Sequence, residues 1–300
     1  MALAGQQYLG SYRLLHIVKT GQTSQVWAAI DDKTQFRCAL KIILEDFRKD
    51  REHLAYMKNE FLVGKALEHE RVIHIYEQGV SQKTPYLVME FFPYPNMKDI
   101  IQRVLDQVTF MLPTIIERSA EGLAYLNEQG WVHRDIKPDN FLVNLEGDVK
   151  LIDFALAQKP KGGLAKMLAR KSKIQGTRSY MSPEQIRGQP LDFRSDIYSF
   201  GCTIFHLLAA QPPFTGVSSN ELLSKHLAAP VPVVEAYNRN ITSDFSRLLQ
   251  SMMAKRPDAR PANMNDFLRH FRSIELFKTP PTPPQAAGDG EPAGNGENAA

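Results

Sequence analysis

The sequence predicts an α+β protein in which strands come first and helices follow. Three observations carry this expectation. Residues 12–92 hold short β-rich runs punctuated by turn residues such as Thr20-Gly21 and Asp31-Asp32-Lys33. Beyond Pro93 apolar residues recur near helical spacing, as at Ile115, Ile116, Leu123 and Leu126, in a run that ends at Gly130. Residues 141–153 then interrupt the helical part with two short apolar-rich runs separated by Leu145-Glu146-Gly147-Asp148, which reads as a hairpin turning at the Gly-Asp pair.

In chain order, residues 12–19, 25–30 and 36–43 form the simplest antiparallel meander. A helix follows at about residues 48–67, then strands at 72–80 and 85–92. The next helices are expected at 97–105 and 110–129. Residues 192–210 read as a buried helix, because Ile197, Phe200, Ile204, Phe205, Leu207 and Leu208 are apolar nearly all round and Asp196 alone interrupts them. The run 159–173 carries six basic residues and no acidic one, the pattern of a solvated loop. From residue 278 the chain is rich in Pro, Gly and Ala without apolar period, so the tail is expected to be disordered.

A chain of 300 residues that is 43% hydrophobic can bury a sizeable core in one large domain or two lobes. Its 36 basic and 33 acidic residues leave a formal charge of +3, too mild to argue for nucleic acid. The two cysteines, Cys38 and Cys202, give neither a disulfide framework nor a zinc site and point to a reducing compartment. The first residues lack a basic start with an apolar core, and no stretch reaches the roughly 18 apolar residues of a membrane span. A cytoplasmic, soluble protein is expected.

The chemistry concentrates between Trp131 and Phe154. The hairpin can bring Asn140, which precedes its first strand, beside Asp153, which closes its second. A carboxylate with an amide carbonyl suits a hard divalent cation such as Mg2+ that completes its shell with substrate phosphates. Asp135, on the preceding loop beside Lys137, is left free to accept a hydrogen bond from an attacking hydroxyl while the lysine steadies a transferring phosphoryl group. Phosphoryl transfer is the reaction these residue types suit.

Residues 133–140, HRDIKPDN, resemble the catalytic loop of protein kinases, and Asp153-Phe154-Ala155 resembles their DFG motif with alanine for glycine. Lys137 resembles the lysine of the serine/threonine subclass, and the closing region is most similar to bacterial serine/threonine protein kinases. The resemblance spans about residues 12–274. It implies a bilobal fold, with a small lobe of five antiparallel strands and one helix at 12–92 and a larger, mainly helical lobe at 93–277. Residues 1–11 would then be an N-terminal extension and 278–300 the tail. ATP and Mg2+ are the implied cofactors, bound between the lobes.

Further roles follow from the same resemblance. Asp135 is the base or hydroxyl-orienting group, Lys137 acts on the γ-phosphate, Lys41 on the α/β-phosphates tethered by Glu60, and Asn140 and Asp153 hold the metal. Lys41 lies in Cys38-Ala39-Leu40-Lys41, where strand alternation points it to the same face as Ala39. Of the Gly-rich loop pattern only Gly21 is kept, with Lys19 and Ser24 at the other glycine positions. Val26, Ala39 and Leu142 would sandwich adenine, Met89 would be the gatekeeper, and Glu90 and Phe91 would present backbone groups to the base. Asp196 would cap the catalytic-loop backbone near His133 and Arg134, and Arg260 would pair with Glu184. Ser172, the only hydroxyl residue between Asp153 and Thr177, is the expected regulatory phosphosite, read by Arg134, with Thr177 its rival. The implied partner is a protein carrying serine or threonine, or a second copy of the chain in a homodimer that autophosphorylates in trans. Lys19, Ser24 and Ala155 motivate a second reading, a pseudokinase acting as a nucleotide-responsive binding module.

Overall fold

The computed structural model describes residues 7–160 and 175–283. The described part of the basic run is therefore only its start, and Ser172 and the tail from residue 284 lie outside the described residues.

Six antiparallel strands build one sheet in the order β1-β2-β3-β4-β6-β5: β1 Gln7–Leu9, β2 Tyr12–Thr20, β3 Ser24–Asp31, β4 Phe36–Ile43, β5 Ile75–Ser81 and β6 Thr84–Met89. This is one strand more than expected. The extra strand pairs Gln7 with Leu14 and Leu9 with Tyr12, and Gly10 turns the chain between them at φ +64. Three residues are too few to show an alternation, so the strand was hidden in the N-terminal extension. Strand β6 stops at Met89, three residues earlier than expected, because the chain leaves the sheet for the linker to the larger lobe.

Alternation along β4 divides its side chains between two apolar clusters. Ala39 and Ile43 join the main core, whereas Cys38 and Leu40 join a smaller one with Leu9, Tyr12 and Tyr86 on the other face. Lys41 has the parity of Ala39 and so enters the cleft. Helix α1, Arg51–Lys65, packs on the sheet with Asp50 as its N-cap, accepting from the N–H groups of Glu52 and His53. Its approach to β5 needs Gly64, where a Cβ would stand 2.4 Å from Ile75 Cδ1. That close seat fixes Glu60, one turn earlier on the same helix.

The larger lobe begins with α2 Met97–Arg103, α3 Leu105–Val108 and α4 Leu112–Glu128. Next comes the hairpin of β7 Phe141–Val143 and β8 Val149–Leu151. Its turn is centred on Leu145 and Glu146, closed by Gly147 N donating to Asn144 O at 3.2 Å, rather than at the Gly-Asp pair. Asn144 holds it, accepting from Glu146 N and Asp148 N through Oδ1, and Gly147 takes φ +75. Then follow α5 Pro183–Ile186, α6 Phe193–Ala209, α7 Ser219–Ala228, α8 Ser243–Met252 and α9 Met264–Arg272. The main cluster runs through both lobes, from Ala39 to Phe277, with Ile197, Phe200 and Phe205 of α6 fully buried. Lys278 N donates to Asn240 O and Thr279 N to Asn240 Oδ1, so hydrogen-bonded structure extends two residues into the expected tail.

Candidate active site

Four pieces of chain meet at the cleft between the lobes: the β2–β3 turn, α1, the loop 133–140 and the segment after β8. Each is seated by identifiable contacts. The loop 133–140 hangs from the buried carboxylate of Asp196 in the first turn of α6. That carboxylate accepts from His133 N at 2.8 Å, Arg134 N at 2.9 Å and Asn127 Nδ2 at 3.1 Å. Burial pushes its pKa above the ordinary carboxylate range, while His133 and these donors favour the charged form. Across the loop, Arg134 O accepts from Gln185 Nε2 at 2.8 Å. The side chain of Gln185 also accepts from Ser182 N in the capping box of α5, so one amide joins the two elements.

Asp135 and Lys137 face each other, with Lys137 Nζ 2.6 Å from Asp135 Oδ2. The same ammonium donates to Thr177 Oγ1 at 2.9 Å, and Thr177 N donates to Asp135 Oδ1 at 2.8 Å. Gly176 allows this approach: it sits at φ +110, and a Cβ would be 3.0 Å from Arg134 O. Burial opposes the charge on Lys137, but Asp135 outweighs it and raises the pKa. The lysine therefore stays an ammonium at the point where three polar groups converge.

On the opposite wall, Lys41 Nζ lies 2.6 Å from Glu60 Oε2 and 3.7 Å from Asp153 Oδ1. Burial disfavours the ammonium, yet the two carboxylates more than offset it and raise its pKa. Burial likewise pushes the Asp153 carboxyl up, and Lys41 and Lys137 outweigh that, holding it below the usual range. Asp153 thus stays ionised between two ammonium groups.

Asn140 and Asp153 both line the cleft, as the hairpin register requires: Phe141 pairs with Leu151, and Ile152 N donates to Asn140 O at 3.0 Å. Asn140 Nδ2 donates to Asp135 O at 2.8 Å, which commits that end of the amide and leaves Oδ1 as its acceptor end. An amide oxygen and an ionised carboxylate are hard donors that fit Mg2+. Among the described residues no cluster of three or more His, Cys, Asp or Glu could hold a metal. The fit is therefore to a cation that takes its remaining ligands from phosphate oxygens and water.

The inner part of the cleft encloses about 1030 Å³ including its open mouth, and Gly21, Val26, Ala39, Met89, Glu90, Phe91 and Leu142 all line it. Two details depart from expectation. Gly21 spends its N–H on Ser24 O at 2.9 Å within the turn, so the one glycine kept in the loop does not offer that donor to a phosphate. Glu90 N donates to His74 O at 2.8 Å, and of its backbone only the carbonyl is left for a base. The sequence reading missed Val18, Ile73 and Ile152, apolar residues that also line the cleft. It missed Gln185 too, although the Ser-x-x-Gln capping pattern at 182–185 was legible.

Of the residues expected to be regulatory, Arg134 donates to Gln158 Oε1 at 3.2 Å, Gln175 Oε1 at 3.4 Å and Leu156 O at 3.4 Å. Its Nε is buried with no hydrogen-bond partner among the described residues. Burial lowers its pKa and Asp196 opposes that. Glu184 and Arg260 form a buried pair, with Nη1 to Oε1 at 2.7 Å and Nη2 to Oε2 at 2.9 Å.

Residues 12–271 match a family described as protein kinase domain. Serine/threonine-protein kinase PknA of Corynebacterium glutamicum is 30% identical over 288 residues, covering 94% of this chain and 60% of that protein. Probable serine/threonine-protein kinase PknB of Bifidobacterium longum is 31% identical over 282 residues, 89% of this chain and 39% of that protein. PknA of Mycobacterium tuberculosis is 27% identical over 289 residues, 95% of this chain and 66% of that protein. The chain thus spans between 39% and 66% of the length of these relatives. Among the described residues no helix is long and apolar enough to cross a membrane. With Lys41, Glu60, Lys137, Asn140 and Asp153 gathered in one interlobe cleft and the family matched over residues 12–271, the chain belongs to the protein kinase domain family.

Proposed function

We propose that this chain transfers the γ-phosphate of ATP to a serine or threonine hydroxyl of a protein. One observation carries the reading: Lys137 Nζ bridges Asp135 and Thr177 at the mouth of a cleft whose inner wall holds Lys41, Glu60, Asn140 and Asp153. Asp135 orients the acceptor hydroxyl and takes its proton as the bond to the γ-phosphorus forms and the bond from that phosphorus to the β–γ bridging oxygen breaks, with ADP as the leaving group. Lys137 faces the charge on the transferring group, and Lys41, steadied by Glu60, faces the α- and β-phosphates. Asn140 and the Asp153 carboxylate would hold Mg2+, which would neutralise phosphate charge. Val26, Ala39 and Leu142 form the apolar sandwich for adenine, and Met89 closes its back. A complete polar set in one cleft supports transfer over a silent binding module. Location in the cytoplasm and self-encounter of two copies for autophosphorylation belong to the same proposal.

Asp135→Asn tests it. The change removes the proton acceptor and leaves the metal pair untouched, so transfer from labelled ATP should fall by about 10²–10⁴-fold while nucleotide affinity stays within a few-fold. Transfer by the variant at the wild-type rate would sink the assignment of Asp135.

A further inference from the structure

Asp153 sits at φ +68, a backbone region that a non-glycine residue holds only when its surroundings impose it. On the upstream side, His133 Nε2 and Ile152 O lie 3.1 Å apart. On the downstream side, residues 154–157 turn back on themselves, with Ala157 N donating to Phe154 O at 3.0 Å. That turn pairs Phe154 O but leaves Ala155 O and Ala157 O with no backbone partner among the described residues, and each needs a donor.

The donor comes from α1. Asn59 Nδ2 lies 2.9 Å from Ala157 O, 3.0 Å from Ala155 O and 3.2 Å from Phe154 O, so one amide with two N–H groups serves three carbonyls. Asn59 directly precedes Glu60, whose carboxylate holds Lys41. Neighbours on a helix point about 100° apart, and here one reaches the lysine while the other reaches the segment after the metal aspartate. An outward shift of α1 would therefore break the Lys41 pair and strip Ala155 O and Ala157 O of their donor together.

Resting on the reading of Asn140 and Asp153 as the metal pair, we propose that Asn59 is a positioning residue for the metal site, fixing the backbone after Asp153 so that its carboxylate stays aimed into the cleft. Partners of this kind commonly change metal affinity or activity by 10–100-fold when removed. Alanine at position 59 removes the donor. Aspartate keeps the shape but sets carboxylate oxygens against three carbonyl oxygens, so it should be at least as damaging as alanine. Glutamine retains the amide and should recover part of the loss.

Calorimetric titration of the full chain with ADP, with and without Mg2+, gives the factor by which the metal strengthens binding. Asn59→Ala should reduce that factor about tenfold and Asn59→Asp at least as much, with metal-free ADP affinity within about twofold of wild type. Should a variant bind ADP poorly without metal, with the same loss in alanine and aspartate, the role is packing and the proposal is overturned. It is equally overturned if both variants keep the wild-type factor while Asp153→Ala loses it. A wild-type factor in Asp153→Ala would remove the metal-pair reading itself, and the proposal with it.

Discussion

Two non-glycine residues of the site, Arg134 at φ +71 and Asp153 at φ +68, occupy the left-handed region. Each costs on the order of 1–3 kcal/mol and persists because its neighbours over-determine it. For Arg134 those neighbours are Asp196, which accepts its N–H, and Gln185, which donates to its carbonyl. Ala155, where the family pattern has glycine, is not among the residues with positive φ. Its Cβ therefore carries no conformational penalty, and its carbonyl is held by Asn59. Ala155→Gly should leave kcat/KM within about twofold and lower stability by roughly 0.5–1 kcal/mol, the entropy of a freer unfolded chain. Steady-state kinetics and urea unfolding check this; a glycine variant that loses most of its activity would show that alanine is required.

Modification of Ser172, which we propose from the sequence, would act through Arg134. The guanidinium of Arg134 meets only neutral acceptors among the described residues, the side chains of Gln158 and Gln175 and the carbonyl of Leu156. Ser172 lies three residues before Gln175, in a run whose cations repel one another. A phosphate there would bring about −1.5 to −2 charge and offer Arg134 a charged acceptor in place of a neutral one. Protein phosphorylated on Ser172 should turn over on the order of tenfold faster than phosphatase-treated protein, and Ser172→Ala should erase the difference. Mass spectrometry with matched kinetics reads both; equal rates in all three preparations would remove this switch. What the sequence shows of such elements depends on the range of the signal. The motif residues and β4 alternation were legible because local pattern dictates them. Strand β1, with three residues, leaves no local trace, and Asn59, whose partners stand about a hundred positions away, leaves little. A mid-helix asparagine, a poor helix former, was the only hint of the latter.

At the scale of the whole molecule, one apolar core joins the lobes, and a buried ion pair ties α5 to the chain entering α9. Arg260 grips both oxygens of Glu184 and also donates to Arg194 O at 2.8 Å, while Ser195 Oγ donates to Glu184 Oε1 at 2.7 Å. The four groups thus link α5, the start of α6 and the chain entering α9. Loss of one partner leaves the other charged and buried, so Arg260→Ala should cost about 3–5 kcal/mol. Acid supplies a gentler test. Burial pushes the Glu184 carboxyl up, but its hydrogen bonds with Arg260 and the nearby guanidinium charge outweigh that, and its folded pKa lies below the ordinary value. A depressed carboxylate stabilises the fold above its unfolded pKa, about 4.3 for glutamate, and that contribution is lost as pH falls through the lower folded value. Glu184→Gln removes the titrating group and keeps its shape. Urea midpoints measured between about pH 3 and pH 7 should show wild type losing stability towards acid more steeply than the variant, the variant being less stable at neutral pH. Parallel curves for the two proteins would mean that Glu184 is not among the groups whose protonation unfolds the chain in acid.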